Sequence, residues 1–241
     1  MRAETRHQLK SDRFARGTIA AAEATAHWTS EHRSKLIAGI VAVLVVLGAV
    51  LGTWYYLEQQ DGKANVQLSE AVRTLSAQIR PAGTPETPNS PSFASPEERA
   101  AAAKKQLQAI VDQYPHTRTA DIARYMLGTT AIEVGDNATA EKQLREVADI
   151  HNRNLASLAK LALAGVYGNT NRTKDALDLY KQLIDKPTDM VSKVTAQLQL
   201  AELYESSQQP AEAKRMYEQI AKENPKTEAE QIAQTRLQAL K

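Results

Sequence analysis

The sequence predicts an all-α protein: a single N-terminal transmembrane helix followed by an α-solenoid of helical hairpins. Three observations carry that expectation. Residues 36–57 read LIAGIVAVLVVLGAVLGTWYYL, 22 positions without a charge. Farther on, a small residue followed four positions later by a large one recurs at offsets of 36 and 37. Ala, Gln, Leu, Glu and Lys are abundant while aromatic residues make up 5% of the chain, a composition suited to helices.

Residues 1–35 read as a basic cytoplasmic tail, with seven Lys or Arg against four acidic residues. Its stretch from Phe14 to Trp28 has helical character. Phe14, Ile19 and Trp28 among basic neighbours suit an anionic inner leaflet, and a solvated, partly helical tail suits the same residues. His27 and His32, five apart, fall on different helix faces and make a poor metal pair.

Residues 36–57 come next. At about 1.5 Å per residue they make a helix of roughly 33 Å, enough for a hydrocarbon core of about 30 Å. Twelve of the 22 are Leu, Ile or Val, which favours insertion by about 5 kcal/mol. Arg33 and Lys35 stand directly before the run, and the first charges after it are Glu58 and Asp61. Flanking positive charge stays in the cytoplasm, so residues 58–241 are expected outside. Trp54, Tyr55 and Tyr56 then meet the outer interface. The run exceeds a usual signal-peptide core and no small-x-small site follows it, which favours an uncleaved anchor. Gly48 and Gly52 form a G-x-x-x-G, a spacing that lets a second helix approach and would allow a homo-oligomer.

Residues 58–241 carry 23 basic and 24 acidic residues, so they exert no long-range pull on nucleic acid. Cysteine is absent, which excludes disulfides, thiolate nucleophiles and Cys-ligated metals. A helix is expected over 64–80, with Leu68, Val72, Leu75 and Ile79 as its apolar stripe and Pro81 as its stop. Residues 81–96 hold five of the nine prolines and read as a mobile loop. Ser95, Pro96 and Glu98 then form a capping box.

The repeat follows. Ala140–Leu144, Ala176–Tyr180 and Ala213–Tyr217 align, and Ala131, Tyr167 and Tyr204 stand nine positions before the small residues. Ala103–Leu107 begins the series one unit earlier, and Pro115 and Pro225 each lie eight beyond the large residue. The small residue leaves room where two helices cross closely, and the proline stops the second helix. Residues 226–241 complete the chain as a capping helix, with Thr227 and Glu230 as its box and Ala229, Ile232, Ala233, Leu237 and Leu240 as its inner stripe.

This pattern resembles tetratricopeptide repeats. Leu127-Gly128, Gly135, Ala140 and Leu144 carry it first; then Leu163-Ala164, Tyr167, Ala176 and Tyr180; then Leu200-Ala201, Tyr204, Ala213, Tyr217 and Pro225. The periods exceed 34 residues, Gln208 stands where glycine is usual, and Pro187 falls one place early. The pair around 64–80 and 96–114 would be a first repeat split by the proline-rich loop. The layout of tail, span and repeat domain also resembles the bacterial family that includes the ancillary subunit of the SecYEG translocon. That resemblance implies a periplasmic domain in the inner membrane's outer space, linking the channel to periplasmic chaperones.

No sequence motif for catalysis is present: no Gly-rich phosphate loop, H-E-x-x-H or G-x-S-x-G. His116 and His151 lie near expected helix ends without a Ser and Asp beside them. Neither an enzyme nor a cofactor is expected. Recognition remains, and in solenoids of this kind the first helix of each pair lines a concave groove. That places Ile122, Tyr125, Thr129 and Glu133 in the groove from one repeat, Leu158, Leu161 and Asn169 from the next, and Thr195, Leu198 and Glu202 from the last. The groove is mainly apolar and lacks the Lys and Asn pair that clamps a peptide carboxylate in some tetratricopeptide proteins. Helix 155–167, charged only at Lys160, is either the buried centre of the stack or a greasy binding side. The expected function is a membrane-anchored adaptor between proteins, binding translocon subunits, periplasmic chaperones or unfolded segments. The alternative is a scaffold for cell-wall or outer-membrane assembly.

Overall fold

The computed structural model describes residues 33–80 and 92–240. Nearly all of the basic tail, with Phe14, Ile19, Trp28, His27 and His32, lies outside the described residues, as do 81–91 of the proline-rich stretch. The elements are α1 (Arg33–Leu75), β1 (Gln78–Ile79), β2 (Ser92–Phe93), α2 (Pro96–Gln113), α3 (Arg118–Glu133), α4 (Asn137–Ala148), α5 (Arg153–Asn169), α6 (Thr173–Asp185), α7 (Lys193–Ser206), α8 (Pro210–Glu223) and α9 (Glu228–Ala239). The chain divides into two units, Met1–Tyr56 and Leu57–Lys241.

In the first unit the described residues are one apolar stretch of α1. Its best 18-residue window has a mean hydropathy of 2.7, and none of it is buried. The second unit is a helical stack in which each helix from α2 to α9 packs on the next, with further contacts from α3 to α5 and from α7 to α9. Packing restricted to near neighbours is the mark of a solenoid.

The hairpins α3–α4, α5–α6 and α7–α8 are closed by the same local chemistry. Gly135, Asn171 and Gln208 adopt the left-handed conformation at φ of 74°, 60° and 58°. After each, the next N–H reaches back five residues: Asp136 to Ala131 O at 2.9 Å, Arg172 to Tyr167 O and Gln209 to Tyr204 O at 2.8 Å. These are Schellman stops, which satisfy carbonyls that a helix end leaves open. At the starts, Ser95, Thr117, Asp136, Asn152, Ser192 and Thr227 each accept from the backbone N–H three residues on. Both expected capping boxes form, and the returning glutamates accept from the residue before the cap: Glu98 from Ala94 N and Glu230 from Lys226 N.

The small-and-large pairs make the core. Ala140, Ala176 and Ala213 are fully buried against Leu144, Tyr180 and Tyr217, which are at most 3% exposed. A Cβ on Gly128 would lie 2.7 Å from Leu144 Cγ, so α3 and α4 cross too closely there for any side chain. Around α5 one large cluster joins Leu144, Val147, Leu163, Val166, Tyr180, Leu183 and Leu200. Helix 155–167 is therefore the buried centre of the stack, with Leu155, Leu158, Leu161 and Ala162 only half covered.

Three expectations need correction. Residues 64–80 are not a separate helix: α1 runs unbroken to Leu75, and Ile79 lies in a strand. The buried stripe there is Ala64, Leu68 and Ala71 with Leu75 half buried, while Val72 is 41% and Ile79 38% exposed. One residue is about 100° of helix, so burying Ala71 turns Val72 outward. Second, a two-residue parallel ladder interrupts the all-α pattern, with Gln78 opposite Ser92 and Ile79 opposite Phe93. Arg80 N–H extends it by donating to Phe93 O at 2.8 Å. Third, Ile232 is 38% exposed, because α9 packs through Ala229, Ala233, Leu237 and Leu240. The early pairing does hold: Leu68 and Ala71 share a cluster with Leu107, Ile110 and Val111 of α2, and with Leu127 of α3.

Candidate functional site: the first helices and a cleft beside α5

The ten groove candidates all sit on α3, α5 and α7, the first helices of three pairs. Tyr125, Leu158 and Leu161 are half buried and pack against one cluster, and Leu198 packs against the C-terminal one. Burial pushes the Tyr125 hydroxyl's pKa up, so it stays neutral and available as a donor. Ile122 is 40% exposed, and Glu133 and Asn169 are exposed at the helix ends. Thr129 Oγ1 donates to Met126 O at 3.0 Å. The Thr195 hydroxyl lies 2.8 Å from Ser192 Oγ, the α7 cap, so local structure already engages it. Glu202 is engaged too, by Arg236 at 3.4 Å and by Gln199 at 2.9 Å. Four apolar side chains and a few free polar ends are thus left for a partner. Gly165 lies between these positions on α5, and a Cβ there would meet nothing within 4 Å. On α1, Gly48 and Gly52 face equally open space.

A second concave feature was not anticipated. A cleft of about 600 Å³ opens where the end of α4, the start of α5 and the end of α6 meet. Ala148, Ile150, Ala156 and Leu183 supply its apolar surface, and Arg153, Lys160 and Lys186 its positive charge. Asp149 and Asp185 also border it. None of the ten groove candidates lines it. Lys160 is the one charge within 155–167, and the sequence pattern alone gives no sign that it walls a cleft.

His116 and His151 are exposed. Among the described residues no group of three or more His, Asp or Glu converges as a metal site.

The family description "Tetratricopeptide repeat-like domain" matches residues 26–185, and "Tetratricopeptide repeat" matches 195–227. The chain belongs to the tetratricopeptide repeat-like family. Its repeats imply a protein–protein interaction role, and nothing positive in the fold shows catalysis. No curated protein matches the chain. A similar solved structure holds the nearly identical TPR-like repeats of a kinesin light chain from Podosopora anserina, at 16% identity and a TM-score of 0.56. That match covers 75% of this chain and 85% of the other, and it bears on the tetratricopeptide fold alone. A tetratricopeptide repeat protein from Parabacteroides merdae matches at 20% identity and a TM-score of 0.48, over 60% of this chain. The chain spans about half of that protein, at 54%.

Proposed function

We propose that this tetratricopeptide protein is a non-enzymatic adaptor held in the bacterial inner membrane, with its N-terminus cytoplasmic and its helix pairs periplasmic. In this reading it works beside the Sec translocon and engages periplasmic chaperones or unfolded segments. One observation carries the anchoring. The apolar stretch of α1 exposes Val41, Leu44, Val45 and Leu51 at 52% or more, with nothing among the described residues covering them. Apolar area in water costs about 25 cal/mol per Å², so a run of this length requires lipid or a partner. Arg33 and Lys35 before it and Trp54, Tyr55 and Tyr56 after it support an N-terminus-inside orientation. The family match beginning at residue 26 runs through this stretch and supports treating span and repeats as one design.

In-cell photo-crosslinking from Tyr125, Leu161 and Leu198 tests the partner assignment. Channel subunits or periplasmic chaperones are the expected captures. Recovery of cell-wall or outer-membrane assembly proteins alone would overturn it in favour of an envelope scaffold. The open faces of Gly48 and Gly52 favour that second reading to the extent that the isolated span self-associates.

A further inference from the structure

Tetratricopeptide repeats follow the pattern W-x-x-L-G, a large ring three places before the close-packed leucine. This chain places Arg124, Lys160 and Gln197 there, before Leu127, Leu163 and Leu200. A ring at that position fills the gap between the two helices of its pair. In the repeat of α3 and α4 the gap is closed by charge instead: Arg124 pairs with Glu146 at 3.2 Å and Asp121 at 3.0 Å. In the repeat of α7 and α8, Gln197 is 1% exposed and donates to Glu223 at 3.3 Å. In the repeat of α5 and α6, Lys160 reaches only Gln182, at 3.4 Å, and the 600 Å³ cleft stands open beside it.

We infer that this cleft is a second protein-binding site, which takes an aromatic side chain from an acidic segment of a partner. Three features select that occupant. The floor of Ala156, Leu183, Ile150 and Ala148 is apolar, and Ala156 and Leu183 come from α5 and α6, the two helices between which a repeat's own ring packs. Lys160 and Arg153 stand at its wall, positioned for cation–π contact with an inserted ring. The Arg153 and Lys186 side chains make no hydrogen bond or ion pair among the described residues, and three cations outnumber Asp149 and Asp185. A carboxylate next to the ring would meet that surplus, whereas a basic segment would be repelled. The site shares no residue with the ten groove positions, so it stands or falls separately from the crosslinking partners.

The test uses the full chain in detergent micelles and three fluorescein-labelled peptides read by anisotropy: Glu-Trp-Leu-Glu, Lys-Trp-Leu-Lys and Glu-Ala-Ala-Glu. The first should bind and the other two should bind at least about tenfold more weakly. Lys160→Trp returns the ring to the chain itself. It should raise Tm and abolish binding of the first peptide. Arg153→Glu with Lys186→Glu, both solvent-facing, should abolish binding and leave Tm unchanged. Equal binding of acidic and basic peptides would overturn the site, as would binding that survives both variants or no binding of Glu-Trp-Leu-Glu at all.

Discussion

Gly128 and Gly165 are both mid-helix glycines on first helices of adjacent repeats, yet their surroundings demand opposite outcomes from the same substitution. A glycine inside a helix costs about 1 kcal/mol relative to alanine. At Gly165 the space is open, so Gly165→Ala is expected to raise stability by about 0.5–1 kcal/mol. At Gly128 the added Cβ would press on Leu144 Cγ and Cδ2 at 2.7 and 2.9 Å. Overpacking costs about 1–3 kcal/mol, which outweighs the propensity gain, so Gly128→Ala is expected to lower Tm. Thermal melts of the two variants check both signs. The sequence pattern marked Gly128, because the small residue falls at a repeat position. It could not distinguish Val72 or Ile232 from buried neighbours one residue away, since a helical stripe read from spacing alone is about one residue wide in either direction. Gln208 and Asn171 show a related tolerance. The hairpin needs a left-handed residue, and the Schellman bonds hold it there without glycine.

Single elements are fastened to one another by charge where the apolar stripe is narrow. Asp136 caps α4 while Lys104 of α2 donates to it at 2.6 Å, and that bond together with the Thr139 donors holds the Asp136 pKa at about 2. Glu223 at the end of α8 is likewise held at about 2 by Lys193, Gln219 and Gln197. Both folded values lie below the ordinary 3.8 and 4.5 of the free groups. The stability these carboxylates contribute is therefore complete above about pH 4.5, and it is lost as the pH falls towards about 2. Tm should drop across that window, and Asp136→Asn, which keeps a capping oxygen, should flatten part of the drop. Another fastening lies between repeats. Arg172 at the start of α6 bonds Glu141 of α4 at 2.8 Å and lies 4.0 Å over the Tyr167 ring of α5. Caps such as Ser95 and Thr227 could be read from sequence because both partners are three residues apart. The Arg172 and Lys104 contacts could not, because their partners are 31 and 32 residues away.

Among the described residues an exposed apolar helix segment accompanies a stack of helix pairs, and the membrane assignment is tested on the whole chain. The expected outcome is that the full chain resists extraction from membranes by alkaline carbonate, and that protease added to intact spheroplasts digests residues 58–241. A freely soluble chain, or a repeat domain protected from that protease, would remove the basis for a periplasmic adaptor. By itself the sequence determined the apolar run, the 36-to-37-residue period, the alternation of small and large residues, and most helix ends. Each of those is a local rule, satisfied within one helix or one turn. Only the tertiary structure decided that α1 continues unbroken to Leu75, that α5 is buried at the centre, and that a cleft opens beside Lys160. Those outcomes depend on what lies across a helix–helix contact, where a charge can close the gap in one repeat and leave it open in the next.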